Sequence, residues 1–567
     1  MPEFADTPIP YVPIADKATE VRAAIDVPQL SAANSFGGLQ KLAIPGPFAT
    51  DAEASTGGVP DDNLYYRSDG TVRAASHISL DLAFALDKTL TARTGPTPTF
   101  SRASSGLFVN ANGILVGKTA GTTASITPST TANGTSVTVA VASGSVVGWL
   151  VGQSVSLIVD VDGGNDNDPS ELWLVGTIVS MTATELVFTV TEKTTTAGSA
   201  TAWTLGYRGA RFDHDPATIA SKGLLIEEPR INYIVQSENF TSWWTASAGV
   251  VSRNKETVIP DPAGTFNSTR LEVNATFNLY RDPISASVPD GTRAISIFAR
   301  AVTGGLNSIA LLGTSATVRI NLATGAVITN TGTVAGSLKV ERFGAIGADG
   351  FNWWRISYAT TDTTGDGFYI ENVGTVSGAI TAFLIFGAQY ELGAFPTSYI
   401  PTTSGTAARS ADVCSITGTD FSGFYNQSEG SVLVATSIQN FGGNNRGIWG
   451  INNNTASHGF LTYTDGALSG VLSQSRSVSA TTLLGSFSPT AGVTFKRILA
   501  YYPSGCSIST NGSTIATTAV TNSTQTMLTI QVGNMLGGSF QGSCHIASLR
   551  YYRKRLSNEK LQALTAP

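Results

Sequence analysis

"SIALLGTSATVRINLATG", residues 308–325, decides the fold class. Ile309 and Leu311, then Val318, Ile320 and Leu322, recur at every second position, with Gly313 and Gly325 where each run stops. Successive side chains of a strand point to opposite faces, so a period of two marks half-buried strands and the glycines mark turns. The rhythm returns in "AISIFARAV" (294–302), "NWWRISYATT" (352–361), "DGFYIENV" (366–373) and "ITAFLIFGAQYEL" (380–392). Short strands at this spacing predict a β-sandwich or jelly roll over residues 230–402.

Residues 403–567 repeat the pattern in "GSVLVATSIQ", "RGIWGINNN", "GFLTYTDG" and "RILAYYPSG" and predict a second sandwich. It closes on a short helix, "SNEKLQALTA", for which Ser557 is a natural N-cap. Upstream, residues 77–229 read as a β domain, with "LAFALDKTLTA" and "LFVNANGILVGKT" among its strands. A small all-β module is inserted into it at about 118–208, where "SVSLIVDV" and "LWLVGTIVSMTATELVFTV" again alternate. Residues 1–76 differ: a proline-spaced extended segment, a short helical stretch after Asp16, and a hairpin turning at Asp69-Gly70. A lone helical turn and a lone hairpin are marginal in water, so this segment is expected to be ordered by self-association or docking.

Composition agrees with an all-β chain. The 567 residues are enough for three or four domains, only 13% are charged, and 59 are glycine. The net charge is −6 and no Lys/Arg run occurs, so the phosphate attraction that nucleic-acid binding needs has no source. Cys414, Cys506 and Cys544 are an odd number without CxxC spacing and read as small buried apolar residues. No stretch reaches the roughly 20 apolar residues that insert into a membrane, and "MPEFADTPIPYVPIADK" lacks the order of a signal peptide. Synthesis in the cytoplasm without secretion is the expectation.

Few motifs suggest chemistry. Glu227 and Glu228, in "GLLIEEPRINYIVQSENF" (223–240), resemble a glycosidase carboxylate pair. Such a pair must face one sugar from about 5–10 Å apart, whereas neighbours on a strand point to opposite faces. Arg230 is expected to pair with one of them. In "RFDHDP" (211–216) His214 stands between Asp213 and Asp215, but no GxSxG elbow or HExxH helix accompanies it, and it reads as a turn or core histidine. No catalytic residue is assigned, and the expectation is a chain that is not an enzyme. Asp160, Asp162, Asp166, Asp168 and Glu171 occupy liganding places of a calcium loop, yet Asn165 stands where a glycine is needed and strands flank it. The loop reads as a solvated acidic hairpin with bound Ca2+ as the alternative; no other cofactor is implied.

Sugar binding asks for an aromatic ring to stack on a pyranose and polar side chains to hold its hydroxyls. "GIWGINNNTASHGFLTYTD" (447–465) offers Trp449 with Asn452, Asn453, His458, Tyr463 and Asp465, and "ENFTSWWTAS" offers Trp243 and Trp244. The alternative for Trp449 is plain sandwich core, and of two adjacent tryptophans only one faces out.

Four stretches, "TFSRASSGLFVNANGIL" (99–115), "RFDHDP", "GLLIEEPRINYIVQSENF" and "FPTSYIPTTSGTAARSADV" (395–413), together resemble the recurring signature of tail-fibre and head-spike proteins of tailed bacteriophages. In the same resemblance "NWWRISY" looks like an edge strand. The region ending in "IASLRYYRKRLSNEKLQAL" is similar to laminin-G-like, concanavalin-type lectin sandwiches. The resemblance implies an elongated multidomain fibre of β-sandwich/jelly-roll modules with a short, partly helical N-terminal attachment segment. It further implies a homotrimer, joined to a virion through its N-terminus and recognising a host surface polysaccharide. A structural head spike and a polysaccharide depolymerase are the alternatives within that resemblance.

Overall fold

The computed structural model describes residues 64–66, 72–74 and 78–567, apart from 144, 160–171, 242–243, 282–287, 305–307, 313–314, 345–346, 348, 363–366, 373–379, 404, 440–444, 456–457, 466–469, 478–479, 521–524 and 536–540. The helical stretch after Asp16, the Asp69-Gly70 turn, the acidic loop from Asp160 to Glu171, and Trp243 lie outside the described residues. The chain divides into two compact units, Met1–Ser79 with Tyr552–Lys554, and Leu80–Tyr551 with Arg555–Pro567. In the first, Leu64–Tyr66 pairs antiparallel with Val72–Ala74, Leu64 opposite Ala74 and Tyr66 opposite Val72.

The second unit is built of antiparallel sheets with a few short helices. The inserted module is one six-stranded sheet in the order Lys118–Ile126, Ala200–Tyr207, Ser154–Val159, Leu172–Met181, Glu185–Lys193, Ser136–Ala140. Its inward face carries Val155, Leu157, Leu174, Ile178, Phe188 and Trp203, all buried.

Residues 245–392 form a sandwich of two six-stranded sheets. In one, Ser308–Leu312 and Thr317–Asn321 are neighbouring strands, so the two runs of the decisive stretch form a hairpin with Ile309 opposite Ile320 and Leu311 opposite Val318. All four are fully buried, facing Ile295, Ile297 and Ile385 of the other sheet. Trp353–Asp362, the "NWWRISY" strand, is not at an edge. It pairs along its whole length with Gly291–Ala301 on one side, and Lys339–Phe343 covers its first half, Trp353–Ser357, on the other.

The C-terminal sandwich recruits strands from far upstream. Arg211–His214 and Ser221–Ile226 extend the sheet that continues through Cys544–Tyr552, Gly430–Ile438 and Phe495–Tyr502, with Leu224 opposite Ile546. Thr99–Ser101 closes the edge of the opposing sheet against Val413–Thr417. Strands on both sides of the insert are thus covered by residues beyond 403, and Phe212, Leu224 and Ile226 share one core with Trp449, Phe460 and Tyr501. Phe460 stacks on Tyr501 at 4.4 Å between ring centroids.

Local departures from the sequence reading have simple causes. Phe84–Asp87, inside a stretch expected to be strand, is one helical turn ended by Lys88 at φ 53°, with only Phe84 buried. Gly418–Phe424, which carries no helical period long enough to be read, forms a helix that buries Phe421 and Phe424. The closing helix is Asn558–Thr565, and Ser557 Oγ accepts the Lys560 N–H at 3.3 Å.

Candidate functional site

The paired glutamates come first, because their surroundings decide what they can do. Strand Ser221–Ile226 stops before them, and Glu227 turns into a buried ionic junction. Arg211 reaches Glu227 at 2.6 Å and Asp412 at 2.5 Å, Arg409 reaches Glu227 at 3.0 Å, and Arg102 reaches Asp412 at 2.8 Å. Ser398 donates to Glu227 through both N–H and Oγ. Burial pushes the Glu227 carboxyl up, but the Arg409 and Arg211 charges outweigh it and hold the group far below the ordinary carboxylate range. Glu228 takes different partners, Arg230 and, at 2.9 Å, Arg446, whose guanidinium lies over the Phe395 ring. Each carboxylate is thus committed to arginines, which fixes the chain where the modules meet and leaves no acid and base facing a common bond.

"RFDHDP" resolves into two separate histidine environments. His214 is buried and its Nδ1 lies 3.1 Å from the Val109 carbonyl. Asp213 pairs with His545, 332 positions away, at 2.7 Å. Nothing near His545 in sequence marks this partner; the strand pairing supplies it.

Two of the three tryptophans proposed as sugar platforms, Trp449 and Trp244, are placed inside. Trp449 is 1% exposed and packs in the C-terminal core. Trp244 is 2% exposed, 4.9 Å from Phe240 and edge-on to Phe368. Asn452 is buried and donates to Gln531 Oε1, while Asn453 holds Thr455 and lies 3.4 Å from His458. Tyr463 belongs to a separate cluster with Leu461, Leu472 and Met535, and Asp465 is half-buried at the strand end. These residues share a hairpin but Trp449 and Tyr463 pack in different clusters, so they present no common sugar-binding face.

A different aromatic is outside. Of the seven described tryptophans Trp173 alone is exposed, at 37%. It sits on strand Leu172–Met181, where Leu172 and Leu174 point to the core, so alternation turns its ring outward. The sequence carried this signal, a tryptophan in the polar phase of an alternating run. Trp173 lines a pocket of about 470 Å3, within the range typical of small-molecule sites.

Sheet register builds the pocket floor. Trp173 stands opposite Ile158 and Ile158 opposite Thr204; in the next row Val175 stands opposite Ser156 and Ser156 opposite Gly206, which in turn faces Lys118. A Cβ on Gly206 would lie 2.6 Å from Ser105 Cβ, so the glycine lets the 103–107 segment form one wall against the sheet. Tyr399–Pro401, Thr403 and Ala407–Arg409 form the other. Glu192 and Arg208 complete the charged lining. Burial lowers the Arg208 pKa and the Glu192 charge opposes that. The pocket therefore combines one aromatic plate with hydroxyl, carboxylate and cationic groups.

No protein-family model matches the chain, and no curated protein matches it. Solved structures do match in part. The CBM40 of the Ruminococcus gnavus IT-sialidase shares 18% identity over 25% of this chain and 84% of that one, with a TM-score of 0.22. The leech intramolecular trans-sialidase shares 16% over 27% of this chain and 26% of that one, at 0.23. The receptor binding domain of botulinum neurotoxin mosaic serotype C/D shares 14% over 27% and 39%, at 0.22. The chain thus spans about a quarter of the leech enzyme's length. Overlaps of this size carry no statement of what this chain binds or does.

Two sequence expectations are corrected by these comparisons. The expectation that the chain is not an enzyme is corrected: sialidases are among the matched structures, and overlaps this small assign the chain neither that activity nor its absence. The bacteriophage-fibre and virion expectation is corrected as well: the matched structures are named as carbohydrate-binding, sialidase and toxin chains, and none of them supports that identity. Among the described residues no helix is long and apolar enough to cross a membrane.

Proposed function

We propose that this chain is a carbohydrate-recognising protein and that it holds polysaccharide in the Trp173 pocket. The observation that carries the reading is the exposed Trp173 ring beside Ser156, Thr204, Glu192, Lys118 and Arg208 in one cavity. A pyranose has an apolar face that suits an indole and an equatorial rim of hydroxyls that suits such polar groups. Self-association through residues 1–76, as a homotrimer, belongs to the same proposal on sequence grounds, because multivalent display raises the avidity of weak sugar sites.

The test is a glycan array probed with the intact protein and with Trp173→Ala, followed by titration of the best glycan and an assay for released reducing ends. Loss of the ring is expected to weaken binding about tenfold, the worth of one aromatic contact of roughly 1.5 kcal/mol. Undiminished binding by a folded Trp173→Ala protein would move the site elsewhere. Reducing ends released only by the Trp173 form would make the pocket a processing site for the glycan it holds.

A further inference from the structure

A second cavity, of about 90 Å3, opens between strands Arg211–His214 and Lys339–Phe343 and is lined by Lys339, Arg355 and His214. One water needs only about 10–15 Å3 on the same measure, so a four-oxygen ion fits. A third cation of the lining, Lys222, lies 3.7 Å from Asp215, whereas Lys339 and Arg355 rest on neutral groups. Lys339 Nζ donates to the Gln439 carbonyl at 2.9 Å; Arg355 donates to the Thr397 carbonyl at 2.5 Å and to Ser296 Oγ at 3.3 Å.

Two carboxylates of the lining are engaged elsewhere, and the third, Glu341, acts on Lys339 only through its charge, opposing the pKa lowering that burial causes. Asp213 is engaged by His545 and the Val109 N–H, and Glu227 by Arg211 and Arg409. Glu341 stands across the strand pair from Arg355 but is exposed, and among the described residues no carboxylate lies within 4.0 Å of Lys339 or Arg355.

Two nitrogens here are buried without a hydrogen-bond partner, Arg355 Nε and His214 Nε2, and His214 is 3% exposed. Unpaired buried polar atoms ordinarily signal a missing water or ion. Their chemistry differs. The guanidinium can only donate, whereas His214 presents its Nδ1 to a carbonyl oxygen, which makes Nδ1 the donor and leaves Nε2 as an acceptor.

We propose that this cavity binds a small oxyanion that carries its own O–H, the hydrogen phosphate ion being the fitting case. Its oxygens accept from Arg355 and Lys339 and its hydroxyl donates to His214 Nε2. Sulfate has the same shape and charge density but no proton to give, so the site discriminates between the two. The site adjoins the Trp173 pocket at Tyr399, but its assigned groups lie outside that pocket, so it stands or falls independently of the polysaccharide reading.

The experiment is calorimetric titration of the full chain with inorganic phosphate and, separately, sodium sulfate at matched ionic strength. Saturable phosphate binding, with sulfate about tenfold weaker or more, is expected; equal affinities, or no saturable phosphate binding at millimolar concentrations, overturn the proposal. In Lys339→Gln, with an unchanged near-ultraviolet spectrum, phosphate affinity is expected to fall about tenfold, and unchanged affinity overturns it. His214→Phe is expected to abolish the preference for phosphate over sulfate, and a retained preference removes the assigned role of Nε2.

Discussion

Asp213 Oδ2 and His545 Nε2 stand 2.7 Å apart, joining strands Arg211–His214 and Cys544–Tyr552 across the intervening Ser221–Ile226. Gly223, opposite Asp213 on that middle strand, places no side chain between them. Gln439 sits 2.9 Å from the other ring nitrogen, so the imidazole is held on both sides.

Replacing His545 by Phe leaves the Asp213 carboxylate buried without its main partner. A loss of about 3 kcal/mol is expected, read by urea denaturation. Burial raises the Asp213 pKa, but the His545 hydrogen bond and charge outweigh it and the group ends below its ordinary value. Its contribution is therefore complete above the ordinary aspartate range and declines as pH falls through the folded value. Asp213→Asn is expected to flatten the acid limb of the stability curve.

The adjacent glutamates are expected to behave differently. Glu227→Gln leaves Arg211 and Arg409 without their shared counter-charge and should cost about 3–5 kcal/mol. Glu228, 16% exposed at its side chain, should cost about 1 kcal/mol on the same change. Because the Glu227 pKa is depressed, its stabilisation is fully present above its ordinary value of 4.5 and is lost as pH falls below that. Chemical denaturation at pH 7, 5 and 3.5 checks both points; equal costs at the two positions would overturn the assignment.

Trp449→Ala should cost about 3–5 kcal/mol by emptying core volume, while Trp449→Phe should fold and keep its glycan affinity. Loss of affinity in a fully folded Trp449→Phe protein would restore that residue as a binding candidate.

Cys414, Cys506 and Cys544 are free and buried, and burial pushes each thiol up to about 12. Thiolate, not thiol, is the reactive form, so native protein should be inert to a thiol reagent at pH 8 and react fully in denaturant.

Particular residues show how far the chain could be read. Ile309, Leu311, Val318 and Ile320 declared their strands by period alone, and Ser557 declared its helix by its hydroxyl. The pairing of Arg230 with Glu228 follows from adjacency in sequence. The single turn Phe84–Asp87 was hidden because four residues are too few to express a helical period.

Alternation, set by backbone geometry, is a property of the sequence by itself; it determined an all-β chain with two-faced strands. It cannot say which face another part of the chain will cover. That depended on strands hundreds of positions apart finding each other, as Leu224 finds Ile546. Hence tertiary structure alone put Trp449 in a core, walled the outward-facing Trp173 into a pocket, gave His545 its aspartate, and closed Arg102, Arg211 and Arg409 around Glu227 and Asp412. Burial and charge pairing are made by contacts between distant segments, and no local pattern encodes them.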